Sequence, residues 1–418
     1  MNKYFYEADI LLPDFSKTSG ESWAVIACDQ HTSEPEYWEA AGKAAGENPS
    51  TLELILPEVY LEETESRVPQ INARMEDYLK NVLVEHKDSM IYLERTQADG
   101  AVRRGLVGCV DLESYDYTKG ADSLIRATEG TVLERIPPRV AVRRGASIEL
   151  PHIMVLIDDP DKTVVEPLGA ACDTFAVAYD FDLMLGGGHV KGYFVNAEAR
   201  EKINGALEAL ITPEAMIRKY GEAYAPLLFA MGDGNHSLAT AKAAYEEVKT
   251  ALGEAAKDHP ARYALVEIVN LHDEALAFEP IYRVMFGVSP AAVLEALREY
   301  AGNLEGGEKP QTVDYVHAGG AGSVVFRRPV QQLTVGTLQT FIDEYVASHA
   351  GASVDYIHGE EATETLAKRE GAIGFLFDGM GKDQLFKTVI CDGALPRKTF
   401  SMGHAEDKRF YLECRRIR

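Results

Sequence analysis

Apolar residues recur along the chain in two rhythms. Compact runs bounded by glycine, proline or acids predict strands at residues 23–27, 90–96, 104–110, 152–157, 263–270 and 371–377, and the last such segment, 410–414, predicts an edge strand. Spacings of three and four predict helices that begin at Glu34, run over most of 63–88, and start again at Ser289. Asp99-Gly100 between two strand-like runs predicts a hairpin. Gly186-Gly187-Gly188 has the glycine density of a phosphate loop, but no Gly-Lys-Ser/Thr ending follows and β-type residues flank it, so a second hairpin is the reading. Residues 52–56 read as a strand or short apolar segment, and 302–310 as the most linker-like piece. Residues 313–317 and 354–358 are near copies whose flanks do not extend the likeness, which makes them two strands of one type rather than a repeat. Strands and helices alternate throughout, so the fold class is α/β in the mixed α+β sense.

One stretch concentrates polar chemistry. Leu227-Leu228-Phe229-Ala230-Met231 suits a strand buried on both faces, and Leu238, Ala241, Tyr245, Val248 and Leu252 follow at helical spacing. Between them lie Gly232, Asp233, Gly234, Asn235, His236 and Ser237. Gly234 can take a positive φ without steric cost, and Ser237 can cap the helix. The unpaired N–H groups of a helix start, with the positive end of its dipole, favour an anion. The dipole contributes about 0.3–1 kcal/mol when exposed, so charged or imidazole neighbours must add the rest. Taken alone, the stretch is equally a capped strand–helix connection.

At 418 residues the chain is too long for one ordinary core. The pattern divides it into an N-terminal mixed region at 1–225, the strand–turn–helix and following strand at 226–300 packed with it, and a C-terminal α/β region at 301–418. The net charge of −24, with 42 basic against 66 acidic residues, argues against nucleic acid as a partner. No run of about 18 apolar residues occurs, so a membrane partner is not expected either. Cys28, Cys109, Cys172, Cys391 and Cys414 are odd in number and lack CxxC spacing, which predicts no disulfide framework and a cytoplasmic setting.

Several segments, in this order, resemble the family known as domain of unknown function 1015. Its early Pro-Tyr-Asp turn is similar to Ala27-Cys28-Asp29-Gln30-His31-Thr32, and its HExT…DR segment to Thr128-Glu129-Gly130-Thr131 followed by Arg139. Its DGHHR-type strand–turn–helix is similar to Met231-Gly232-Asp233-Gly234-Asn235-His236-Ser237. Its PxHR and PxKST elements resemble Pro280-Ile281-Tyr282-Arg283 and Leu395-Pro396-Arg397-Lys398-Thr399. The chain departs from that pattern at Asn235, Thr128 and Tyr282, where the family has histidine, and at Ser237, where it has arginine. More distantly, the DGHHR element resembles the phosphate-binding turn of the ParB and sulfiredoxin superfamily, which includes free-serine kinases. That resemblance implies a ParB/sulfiredoxin-like core with inserted and appended α/β segments. It also implies a nucleotide-dependent phosphotransferase, a small-molecule kinase acting on a hydroxyl such as that of free serine, with ATP or ADP and Mg²⁺ as cofactors.

Phosphoryl transfer needs charge-neutralising donors around the phosphate and a group that orients the accepting hydroxyl. Gly234, Asn235 and Ser237 are the candidates to hold phosphate, with Arg139, Arg283 and Lys398 to neutralise it. Asp29, Asp233 and His236 are the catalytic candidates, and Asp29 and Asp233 the candidates for Mg²⁺. Ion pairing for the arginines and a turn or cap role for Asp29 account for the same residues without a ligand. Two other classes stay open: a non-catalytic or sensory protein binding a nucleotide or phosphorylated metabolite, and a thiol-dependent hydrolase using Cys28. In the first two readings the partner is a small-molecule or phosphorylated ligand; oligomerisation is left open.

Overall fold

The computed structural model describes residues 2–130, 136–307, 309–403 and 407–418; Thr131 of the HExT-like segment lies outside the described residues. Two compact units emerge, one made of Met1–Leu276 with Gly403–Arg418 and the other of Ala277–Met402. The chain passes from one unit to the other at 276 and Gly403–Arg418 returns to the first, where the sequence reading sets its divisions at 225 and 300. Hydrogen bonding explains the difference. Tyr263–Asn270 is paired along its length to Val102–Asp111, whereas Phe278–Phe286 is paired to Ser353–His358 and Ala372–Leu376. The described residues of the linker-like stretch after the helix Pro290–Asn303 belong to the second unit and carry no helix or strand.

The first unit is built on a nine-stranded mixed sheet. Its order is Ala176–Asp182, His189–Phe194, Ile91–Thr96, Val102–Asp111, Tyr263–Asn270, Met154–Ile157, Phe229–Asp233, Ile125–Arg126, Tyr115–Asp116. Both predicted hairpins form, one across Gly100 and one across the three glycines at 186–188. Strand periodicity sorts successive side chains into two apolar cores. Tyr92, Leu106, Val155 and Val266 join one cluster, and Ile91, Leu93, Val107 and Leu265 join the other. A sheet buried on both faces accounts for the near-continuous apolar runs in these strands.

A second, four-stranded sheet has the order Leu83–Ser89, Ala8–Pro13, Cys414–Arg416, Ile148–Glu149. It corrects two expectations. The helix Thr64–Asn81 stops well before 88, because Val84 and its neighbours pair antiparallel with Ala8–Pro13. The closing segment divides into Phe410–Tyr411, paired with Val25–Ile26, and Cys414–Arg416, which is interior to its sheet rather than an edge. The strand expected at 23–27 is confined to Val25–Ile26, because Trp23 ends the short helix Gly20–Trp23, and the segment read at 52–56 as a strand or short apolar piece begins in the 3-10 turn Thr51–Leu54.

The second unit carries an antiparallel sheet ordered Gly320–Phe326, Gln311–His317, Ala372–Leu376, Phe278–Phe286, Ser353–His358, with helices including Pro290–Asn303 and Thr334–Ser348. The near-copy segments are two separate strands of this sheet. Among the described residues, no helix is long and apolar enough to cross a membrane.

Candidate functional site

The strand Phe229–Asp233 ends at Asp233 and the helix Asn235–Leu252 starts immediately after Gly234. Gly234 is the N-cap residue, with φ +78. A Cβ at this position would stand 3.1 Å from both Cα and Cγ1 of Ile153, so backbone conformation and close packing both select glycine. Its N–H donates to Asp233 Oδ1 at 2.8 Å. No side chain caps the helix, which corrects the role read for Ser237. That residue lies within the first helical turn, its Oγ 3.4 Å from His152 Nε2. The register of Phe229–Asp233 against Met154–Ile157 shifts between Met231 and Asp233, a local irregularity of the kind that re-aims side chains at the end of a strand.

Asp233, Gly234, Asn235, His236 and Ser237 line a pocket of about 300 Å³ together with Asp29, Arg139 and His152. Seven of the residues proposed from sequence thus lie around one space, though they come from widely separated segments. Asp29 arrives through Val25–Ile26, which is clamped by Phe410–Tyr411 and by the Ala27 N–H bond to the Arg409 carbonyl at 3.0 Å. Arg139 is carried on the helix Ile136–Gly145, which Arg144 fastens to Glu247 of the site helix through two hydrogen bonds of 3.0 and 2.7 Å.

Arg283 and Lys398 belong to the second unit. Arg283 is 0% exposed, and its guanidinium donates to the carbonyls of Ile281, Arg397 and Lys398 and to Gln339 Oε1. A guanidinium so enclosed ties backbone segments together, which corrects its reading as a phosphate ligand. Lys398 is exposed, and its Nζ lies 5.9 Å from the centre of the Tyr356 ring. Tyr282 of the same motif donates to Glu360 Oε1 at 3.1 Å.

The pocket's electrostatics centre on His152, a residue 5% exposed. Its Nε2 is 3.3 Å from Asp29 Oδ2, and its Nδ1 is 2.9 Å from the Tyr411 hydroxyl. Tyr411 donates to Cys28 Sγ at 3.0 Å, so it accepts from Nδ1–H, and Asp29 meets the proton on Nε2. Burial opposes charge on the imidazole, but the Asp29 carboxylate, the hydrogen bond to it and nearby Asp233 raise His152 above its ordinary value. Burial would likewise raise Asp29, yet His152 and the Gln30 amide hold its carboxyl below the usual range. Both shifts favour an imidazolium–carboxylate pair. Lys408 Nζ stands 3.5 Å from Asp233 Oδ2, and Arg139 is paired with Glu58. Cys28 is a different case: burial and the adjacent Asp29 push its thiol up to about 12, which disfavours a thiolate near neutral pH.

His152, Lys408 and Tyr411 had no local signal in the sequence. His152 precedes an ordinary apolar strand, and only antiparallel pairing brings it beside Asp233. Two of the departures from the family pattern also meet here. Asn235 Oδ1 accepts the Thr128 N–H at 3.2 Å, and its Nδ2 is 3.4 Å from the Thr128 hydroxyl, which in turn donates to the Met231 carbonyl at 2.8 Å.

Among the described residues no group of three or more His, Cys, Asp or Glu side chains is arranged to hold a metal. Asp29 and Asp233 both line the pocket, and each already faces a cation. The donor set therefore fits Mg²⁺ only as a partner of ligand phosphates, the usual arrangement of one or two carboxylates plus phosphate oxygens.

Solved structures with similarity to the chain include a conserved hypothetical protein from Pyrococcus furiosus, at 10% identity and TM-score 0.35, covering 75% of this chain and 95% of that one. A free serine kinase in complex with AMP is similar at 12% identity and TM-score 0.36, covering 73% and 90%. SbnI with C-terminal truncation from Staphylococcus aureus follows at 11% and 0.33, covering 73% and 85%. Overlaps at these scores carry no argument about the chemistry of this chain. No curated protein matches it. The family described as "Protein of unknown function (DUF1015)" matches residues 14–378, a span that takes in Asp29, Arg139, the Gly234 turn and Arg283 but not the segment 395–399. The chain belongs to the DUF1015 family.

Proposed function

We propose that the protein binds a phosphorylated small molecule at the Gly234 turn and acts as a nucleotide-dependent phosphotransferase on a small hydroxyl compound such as free serine. The observation that carries this reading is the convergence of a glycine-capped helix start, the Asp29–His152 ion pair and Arg139 on one pocket. A phosphate seated there meets helix N–H groups, the imidazolium of His152 and the Arg139 guanidinium, all donors suited to anionic oxygens. His236, next on the helix start, is a further donor for the same group. Asp233, with Lys408 beside it, is the carboxylate assigned to orient an incoming hydroxyl, because Asp29 is engaged by His152 and held below the usual carboxylate range. Mg²⁺, when bound with the ligand phosphates, would neutralise charge on them beside Asp29 and Asp233.

A second reading, binding without turnover, is favoured by one observation: both acids of the pocket already face a cation. Thermal-shift measurements with ATP, ADP, CTP and pyrophosphate, each with and without Mg²⁺, test the shared part of the two readings, since a ligand present at about 100 times its Kd stabilises by roughly 2.7 kcal/mol. Turnover with free serine and other small alcohols then separates them. Stabilisation without turnover leaves the binder; no stabilisation by any of the four ligands removes both.

A further inference from the structure

A second cavity, of about 210 Å³, adjoins the polar pocket, and Cys28, Glu58, Arg139, His152 and Ser237 line both. Beyond that shared rim the wall is apolar, with Leu54, Leu56, Ile71, Met75 and Ile148. The charged groups on it are already satisfied. Arg143 is bonded to Glu149, and Glu149 also takes Arg415 at 2.9 Å and the Leu265 N–H at 2.9 Å.

Asn72 is different. It lines the cavity from the helix Thr64–Asn81, and its amide makes no hydrogen bond among the described residues. Gly145 makes room for it: a Cβ there would lie 2.2 Å from Asn72 Nδ2. A side-chain amide presents a donor and an acceptor side by side in one plane. That pattern complements the amino and ring-nitrogen edge of adenine, the pairing asparagine makes most readily with a base. Apolar walls with one planar polar group are what a flat heterocycle requires.

We propose that this cavity is a nucleobase subsite, in which an adenine ring lies among Leu54, Ile71 and Met75 and pairs with Asn72. The inference rests on the reading of the Gly234 turn as the phosphate site, and it makes the phosphorylated ligand an adenine nucleotide that passes Arg139 between base and phosphates.

Calorimetric titration of the full chain with pyrophosphate, ADP, CDP and adenosine tests it. ADP is expected to bind about tenfold more tightly than pyrophosphate or CDP. Asn72→Leu, a good helix former on a half-exposed helix position, is expected to abolish that preference while leaving pyrophosphate affinity unchanged. Equal affinities for ADP, CDP and pyrophosphate overturn the subsite and leave the phosphate site standing. A preference for both nucleotides that Asn72→Leu does not alter overturns the assignment of adenine. Binding of adenosine without pyrophosphate upholds the subsite and removes the phosphate site. Silence with all four ligands removes both.

Discussion

Asn235 and Thr128 are bonded to each other twice, through the Thr128 N–H at 3.2 Å and its hydroxyl at 3.4 Å. Each stands where the family pattern has histidine, so the two departures form one coupled polar contact that anchors the segment following Ile125–Arg126 to the turn. Asn235→Ala and Thr128→Val should each destabilise the protein, and their effects should fail to add. A double-mutant cycle by urea unfolding is expected to give an interaction energy of about 1 kcal/mol. Strict additivity would show that the two departures are independent.

The His152–Asp29 pair sets a pH window. A histidine raised in the folded state contributes stability that is fully present below its unfolded value, near 6.5, and lost as pH rises through the folded value. The lowered Asp29 contributes above its unfolded value, near 3.8, and loses that contribution as pH falls through the folded one. Pyrophosphate affinity should therefore be greatest on the acidic side of neutrality and weaken as the imidazolium deprotonates. The step should vanish in His152→Gln and move to lower pH in Asp29→Asn. A wild-type profile without any step between pH 5 and 9 would remove the imidazolium from the site.

Gly234→Ala places a side chain at φ +78 against Ile153. The left-handed conformation alone costs roughly 1–2 kcal/mol. Thermal melting should fall accordingly, and the loss of anion affinity should exceed what that destabilisation accounts for, because the helix start itself is displaced. Unchanged affinity in a folded variant would place the ligand elsewhere.

Cys28→Ser should preserve ligand binding and any turnover. The thiol is pushed up to about 12 and serves as an acceptor for Tyr411, a role a hydroxyl can fill. Complete loss of activity in the serine variant, with His236→Ala still active, would restore the thiol mechanism.

Arg283→Ala should act on stability alone. Removing the guanidinium strands the carbonyls of Ile281, Arg397 and Lys398 in the second unit, at a cost of about 3 kcal/mol or more. Pyrophosphate affinity of the folded fraction should match the wild type. A selective loss of affinity without destabilisation would return Arg283 to the ligand.

The strand–turn–helix was legible because three signals coincide within a few residues: the apolar run to Met231, a glycine at the only conformation-demanding position, and the spacing of Leu238, Ala241 and Tyr245. Its cap was misread because Ser237 is a good capping residue, and nothing local reveals that the helix starts earlier, at Asn235. His152 stayed hidden for a topological reason, since its partner Asp29 lies on another segment and the two meet only through strand pairing. Arg283 was misassigned because a motif specifies residue type and not exposure. A polar, glycine-rich loop has the same composition within a unit as between units, so composition alone does not place a unit boundary. Leu83–Ser89 read as helix because its alternation is weak, and pairing with Ala8–Pro13 decided its conformation.

The chain's return to the first unit through Gly403–Arg418 fixes the order in which the pocket can be assembled during synthesis. Asp29, Arg139, His152 and the Gly234 turn leave the ribosome early, but Lys408 and Tyr411 follow only after all of Ala277–Met402. Domains tend to fold as they emerge, so the inserted unit can become compact while the surrounding one still lacks Cys414–Arg416 in its four-stranded sheet and the clamp on the Asp29 turn. The pocket's lining is thus completed only after the inserted unit has been made, in a single closing step made by Phe410–Tyr411 and Cys414–Arg416.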